Sequence, residues 1–327
     1  MDLIINSFGT TLTKDNDTFV ILHEDGKQRV HPDGIKSISI SKGAQITSDA
    51  AIMAIEHEID VLFVDNTGRP VGRLWSHKYG SVSTIRRGQL DFSLSKNAIT
   101  WIKGIVVSKL ENQQAVLLTL RTKSPEEEAI VKKSIGRIED YRDKIKSLQG
   151  EVVPDVAPSL RGWEGAASRI YFDCINHFLP EKFQFSGRQQ HPATDLFNCL
   201  LNYAYGVLYG KIEGELIKAG IDPYVGIFHR DDYNRPVLVF DVIELYRVWA
   251  DYVVIALAMQ GAVNEDGYSV RDDGSFWLEG LGKRILIQSL NDYLDELVTI
   301  KGVSRSRNSH LALYAQDLAR LFKNHTQ

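Results

Sequence analysis

The sequence predicts an α+β protein: a small N-terminal β-rich domain over residues 1–87, a linker over 88–97, and a larger all-α C-terminal domain over 98–327. Three observations predict it. The first ninety or so positions carry short apolar segments of strand period, separated by turn signals. From Ile102 onward the apolar spacing changes to that of helices. The chain has 327 residues, of which 43% are hydrophobic and 24% charged, a composition that folds and a length that fills one large or two ordinary domains.

The elements follow in order. Residues 18–22 form an apolar strand leading into Glu24-Asp25-Gly26-Lys27, where Asp-Gly tolerates positive φ and marks a hairpin turn. Residues 35–40 alternate at period two, and 61–64 form a compact apolar strand that turns at Asn66-Thr67-Gly68 and resumes at 71–75. One helix intervenes, with Ser48 as N-cap and Ala51, Ile52, Ile55 and Ile59 at helical spacing. After Arg86-Arg87-Gly88-Gln89, a long helix is marked by Ile102, Ile105, Val106, Leu110, Val116 and Leu120. Ser124-Pro125-Glu126-Glu127 opens another, with Ser124 as N-cap, Pro125 where its missing N–H costs nothing, and Glu127 placed for a capping box. The remainder reads as helical apart from a turn or short hairpin at Asp272-Asp273-Gly274.

Composition excludes several function classes. The longest apolar run, residues 252–259, is too short to cross a bilayer, and Met1-Asp2-Leu3 lacks the basic flank of a signal peptide, so a cytoplasmic protein with no membrane partner is expected. Cys174 and Cys199 have neither metal-ribbon spacing nor the density of a disulfide scaffold and read as buried thiols. With 38 Lys+Arg against 42 Asp+Glu the formal charge is −4, and residues 1–93 and 94–327 each carry −2. Any nucleic-acid partner therefore requires basic residues gathered on one face rather than a basic domain.

Four polar residues in apolar surroundings are candidates for chemistry. Glu164 lies one residue around the helix from the inward stripe Trp163, Ala167, Ile170 and Cys174, and small neighbours leave room beside it; alone it also reads as an ordinary boundary glutamate. His229 ends the apolar segment after Asp222-Pro223, as a ligand, a catalytic group or a histidine satisfied by a neighbouring carbonyl. Asp241 and Glu244 share one helix face, so they either share a divalent cation or divide between them the roles of ligand and of support to the ligand, or Asp241 is a helix N-cap with Glu244 as its capping-box partner. As a set, three carboxylates and an imidazole suit Mg2+ or Mn2+, disfavour zinc, and point to metal-assisted phosphoryl transfer. No GxGxxG, Walker loop, GxSxG elbow or HExxH is found.

In this order the residues resemble the CRISPR-associated integrase family, the Cas-one proteins. The resemblance runs through Gly68-Arg69-Pro70 and Gly72-Arg73-Leu74, Arg86-Arg87-Gly88-Gln89, Arg161-Gly162-Trp163-Glu164-Gly165 and the segment 197–205. The most specific matches are Gly220-Ile221-Asp222-Pro223-Tyr224-Val225-Gly226-Ile227-Phe228-His229 and Asp241-Val242-Ile243-Glu244-Leu245-Tyr246-Arg247. Val248 stands where many members have proline, and Gly88 where alanine is common; neither departure touches a candidate ligand.

The resemblance implies that Glu164, His229 and Glu244 are metal ligands, with Asp241 a nearby catalytic or supporting carboxylate. It implies a homodimer formed largely through the β-rich domain, and assembly with the small Cas-two protein. The implied substrates are DNA, both an incoming duplex prespacer and the CRISPR leader–repeat, with a 3′-hydroxyl attacking a phosphodiester. His229 serves either as ligand or as proton relay, the ligand role being favoured. Arg230, Arg235, Arg247, Lys211, Arg305 and Arg307 are the expected phosphate contacts, and Tyr203 and Tyr205 the candidates to stack on an unpaired base. Two other readings use the same residues: a metal-dependent nuclease of branched DNA, and a noncatalytic DNA-binding assembly subunit.

Overall fold

The computed structural model describes residues 2–24, 26–35, 37–65, 70–74, 82–190, 192–229 and 235–325. Arg230, Trp75, Gly68-Arg69 and the turns expected at Asp25 and Asn66-Thr67-Gly68 lie outside the described residues.

Strands β1 (Asp2–Ile5), β2 (Thr11–Asp15), β3 (Thr18–His23), β4 (Gly26–Val30), β5 (Ser37–Ser41), β6 (Gln45–Ile46), β7 (Asp60–Val64) and β8 (Pro70–Leu74), with helix α1 (Ser48–Glu56), make up the N-terminal domain. They form two sheets, ordered β1-β5-β7-β8 and β4-β3-β2-β6. β1, β5 and β7 run parallel, which requires a crossover, and α1 lies within the β5–β7 connection. Leu12, Phe19, Ile38, Met53 and Val61 fill the core that α1 closes. The α1 cap differs from the expectation: Thr47, not Ser48, accepts the Ala50 N–H at 3.3 Å. That offset turns Ala50, Met53 and Ala54 inward and leaves Ile52 exposed.

The remaining helices are α2 (Val82–Ser93), α3 (Lys96–Leu118), α4 (Pro125–Ser147), α5 (Val153–Phe178), α6 (Leu196–Lys218), α7 (Val237–Ile243), α8 (Arg247–Met259), α9 (Gly280–Asp295) and α10 (Arg307–His325). Residues 88–97 are not an open linker. α2 runs through Ser93 and α3 begins at Lys96, while Phe92 packs on Phe322 of α10 with ring centroids 5.4 Å apart, so α2 belongs to the helical core. Ser124 caps α4 as expected, accepting the Glu127 N–H at 3.2 Å. The expected hairpin at Asp272-Asp273-Gly274 joins β9 (Tyr268–Val270) to β10 (Phe276–Leu278). A second hairpin, β11 (Leu297–Ile300) with β12 (Val303–Ser306), replaces helix expected there. Its turn residues Lys301 and Gly302 have φ of 50° and 80°, the consecutive positive values of a tight hairpin turn.

The two domains meet at β8 and α6. Arg73 in β8 pairs with Asp60 and donates from Nη1 to the Ile217 carbonyl of α6 at 2.5 Å. No helix among the described residues is long and apolar enough to cross a membrane.

Candidate active site

His229 is placed by a loop that other elements tie down. Gly220, at φ +82°, ends α6 in a conformation open to glycine, and the chain then runs to His229. Gln89 of α2 is fully buried and grips this loop: Nε2 donates to the carbonyls of Asp222 (2.7 Å) and Val225 (3.0 Å), and Oε1 accepts the Asp222 N–H (3.1 Å). Arg161 of α5 donates to the Phe228 carbonyl at 2.8 Å and lies over the Phe228 ring.

Asp241, inside α7 and 0% exposed, completes the anchorage. Its Oδ2 accepts the N–H groups of Ile227 (2.9 Å) and Phe228 (3.0 Å), and its Oδ1 accepts the N–H of His229 (3.0 Å) and contacts His229 Nδ1 at 2.6 Å. The N-cap reading of Asp241 is therefore overturned: the carboxylate caps the His229 loop instead of its own helix. Fixing Nδ1 leaves Nε2 as the nitrogen for a ligand or proton, on a side chain 39% exposed.

Glu164 and Glu244 are brought together by a residue the sequence reading did not single out. Lys109 of α3, with its side chain 7% exposed, pairs with Glu164 Oε1 and with Glu244 Oε2, the latter at 2.5 Å. Ser168 donates to Glu164 Oε1 at 3.1 Å, and Arg247 Nε donates to Glu244 Oε1 at 2.8 Å. Burial alone would raise the Glu244 pKa, but Arg247 and then Lys109 outweigh it and bring it down to about 2. Burial would likewise lower the Lys109 pKa, and the charges of Glu244 and Glu164 hold it above its ordinary value instead. Lys109 was legible in one respect: with Ile102, Ile105 and Val106 it lies on the buried stripe of α3, where a lysine needs a partner.

Arg247 is committed to Glu244, and its guanidinium lies 4.7 Å over the Tyr205 ring, so it supports the site rather than meeting phosphate. Tyr205 is no base-stacking platform. It is buried, carries Arg188 on its ring as well, and donates to Asp251 Oδ1 at 2.5 Å, while Tyr171 donates to Oδ2 at 3.0 Å. Burial pushes the Asp251 carboxyl up to about 6, against the two tyrosine hydrogen bonds. Arg307 is pinned between Glu296 (2.8 Å) and the Tyr293 ring and carbonyl. Lys211 on α6 and Tyr203 are half-buried, whereas Arg235 and Arg305 are exposed. A largely basic surface missing from the expectations lies between α4 and α5, where Arg137 of α4 and Arg161 and Arg169 of α5, with Asp173, line an open groove of about 540 Å³ that also includes Gly162 and Gly165. A Cβ at either glycine would meet open space, so a ligand backbone has room to approach.

Two carboxylates and an imidazole suit a hard divalent cation by donor chemistry. Glu244 Oε2 is buried and meets only the Lys109 ammonium, at 2.5 Å, so it is the Glu244 oxygen that a metal taking the ammonium's place would reach. The residues therefore fit the implied ion. As they lie, no three His, Cys, Asp or Glu among the described residues form a metal-holding group, and the cation between Glu164 and Glu244 is the Lys109 ammonium.

Comparison with solved structures first defines the class by its fold. A chain of a partial Cas6-RT-Cas1–Cas2 complex superposes with a TM-score of 0.76 at 24% identity, covering 99% of this chain and 96% of the other. A casposase bound to its integration product gives 0.72 at 20% identity, covering 99% and 95%. Residues 3–292 match the model of the CRISPR associated protein Cas1 family, and the chain belongs to that family. It is 29% identical to a CRISPR-associated endonuclease Cas1 of Archaeoglobus fulgidus over 97% of this chain and 95% of the relative. It is 31% identical to a homologue of the same description in Pyrobaculum aerophilum over 79% and 82%.

Proposed function

We propose that this Cas1-family chain is a divalent-metal-dependent DNA integrase and endonuclease that inserts new spacer DNA into a CRISPR array. The observation that carries the reading is the division of labour among the carboxylates. Asp241 is used up on the His229 loop, so His229 Nε2, Glu164 and Glu244 remain for a cation and a reacting phosphodiester. Mg2+ or Mn2+ held by these three would make a hydroxyl more acidic and offset charge on the phosphate.

The protein's own groups do the rest. A 3′-hydroxyl oxygen forms a new bond to phosphorus while the existing bond to a 3′-oxygen breaks. The leaving oxygen gains a proton as the attacking hydroxyl loses one, so the exchange needs no ATP. Asp241 keeps the His229 imidazole oriented throughout. Arg137, Arg161 and Arg169, with exposed Arg235 and Arg305, supply phosphate contacts. Relatives named endonucleases, a casposase with an integration product, a Cas1–DNA complex and Cas1–Cas2 assemblies support DNA and the Cas2 protein as partners. A homodimer through the β-rich domain completes the proposal.

The test supplies purified protein, with and without Cas2, with a short duplex bearing 3′-hydroxyl ends and a supercoiled plasmid carrying a leader and repeat. Covalently joined DNA in Mn2+ or Mg2+ but not in EDTA is the expected product, and free nicks alone would favour a nuclease. Glu164→Ala and His229→Ala are expected to reduce joining at least about a thousandfold, on the order of the loss of a main catalytic group, with DNA affinity retained. Unchanged joining in either variant would remove these residues from the site.

A further inference from the structure

Lys109 has a charge and a position that the proposed chemistry does not use. It reaches the site from α3, the third helix of the cluster, and is almost fully enclosed. Its ammonium touches one oxygen of each acidic candidate ligand, Glu164 Oε1 and Glu244 Oε2. Glu244 Oε1 is already taken by Arg247, so Oε2 is the Glu244 oxygen that either the ammonium or a metal must use. Lys109 and Arg247 together balance the two carboxylates. A divalent ion added with the ammonium still in place would put like charges side by side in a poorly solvated space.

We infer that Lys109 is a built-in counter-ion that occupies the position between Glu164 and Glu244, holds the two carboxylates together before a divalent cation binds, and competes with that cation for their oxygens. The site thus trades one internal cation for one external ion, and the lysine sets the metal concentration at which it loads. The inference rests on the metal-site reading above, and binding measurements separate the two.

Full-length wild type, Lys109→Met and Glu164→Gln are titrated with Mn2+, free ion being followed by electron paramagnetic resonance, and thermal unfolding is recorded in EDTA and in saturating Mn2+. Methionine keeps the length of the side chain without its charge. Lys109→Met is expected to bind Mn2+ about tenfold tighter or more than wild type. It should melt lower in EDTA, and Mn2+ should raise its midpoint by more than it raises that of wild type. Equal or weaker Mn2+ binding by Lys109→Met, or a Mn2+-induced shift no larger than wild type, would overturn the competition. If Lys109→Met folds only when produced with Mn2+, the ion is replacing the ammonium as inferred. Failure to fold even with Mn2+ would show that it does not replace it. Wild-type binding that Glu164→Gln abolishes keeps the metal site intact whatever Lys109→Met does. Mn2+ binding unaffected by Glu164→Gln would instead overturn the metal-site reading, and the Lys109 inference with it.

Discussion

Asp241 and Glu244 stand three residues apart in sequence, yet the structure holds them by different means. Asp241 is satisfied by three backbone N–H groups and an imidazole nitrogen, donors fixed in place by the loop they belong to. Glu244 is satisfied by two long cationic side chains, Lys109 and Arg247. A carboxylate tied to backbone has no lone pair to give up without undoing the loop. One held by an ammonium can exchange that partner for another cation. The first arrangement supports a site and the second is able to bind, although both are carboxylates, one inside α7 and the other at its C-cap.

Removing the backbone-bound member should have the largest effect on stability. Asp241→Ala leaves N–H groups of the 220–229 loop unpaired in the interior, each costing about 1–3 kcal/mol. A total loss of about 3 kcal/mol or more is expected in urea unfolding, with His229 no longer held. A loss below about 1 kcal/mol would mean that water reaches these donors and that the loop is not anchored as described.

Asp251 offers a contrast in pH. It is buried among tyrosines, and its folded pKa of about 6 lies above the ordinary 3.8. The folded state therefore holds more protons than the unfolded state between those values, and this group's contribution falls as pH rises through about 4 to 6, with the full penalty above 6. The difference corresponds to roughly 3 kcal/mol at about 1.4 kcal/mol per unit. Asp251→Asn should remove that pH-dependent segment from a stability profile measured between pH 4 and 7. A profile parallel to wild type would contradict the assignment. Glu244 has the opposite sign: its pKa of about 2 lies below the ordinary value, so its contribution is complete above about 4.5 and is lost as pH falls toward 2.

Gln89→Ala tests the same loop from the α2 side. It leaves the Asp222 N–H and two carbonyls without their buried partner, and a loss of about 1–3 kcal/mol is expected. The smallest effect belongs to the surface: Arg305→Ala should lower the salt dependence of DNA binding by about one phosphate contact and leave stability unchanged. An unaltered slope would remove Arg305 from the DNA face.

Much of this arrangement was legible in the sequence. The change from strand to helix period marked the passage from a strand-rich region to a helical one, Ser124 and Pro125 marked the start of α4, and the motifs around Glu164, His229 and Glu244 marked the elements that carry the candidate site. What was not legible depended on tertiary neighbours. Asp241 followed by Glu244 has the spacing of a capping box, and only the return of the 227–229 backbone beside α7 shows what Asp241 bonds. Tyr205 has the same local pattern whether its ring faces DNA or Asp251. The linker expectation failed because what covers the apolar side of α2 is α10, with Phe92 meeting Phe322 about 230 residues later in the chain. The 297–306 hairpin was hidden because Lys301 adopts positive φ before Gly302, which a lysine seldom does.

The most direct test of the contrast between Asp241 and the other carboxylates is the anomalous diffraction of crystals of the protein soaked in Mn2+. The account predicts a single strong peak bonded to Glu164, Glu244 and His229 Nε2, with Asp241 outside the bonded set and still joined to the backbone of residues 227–229. A peak bonded to Asp241, or one that leaves Glu164 and Glu244 untouched, would contradict it.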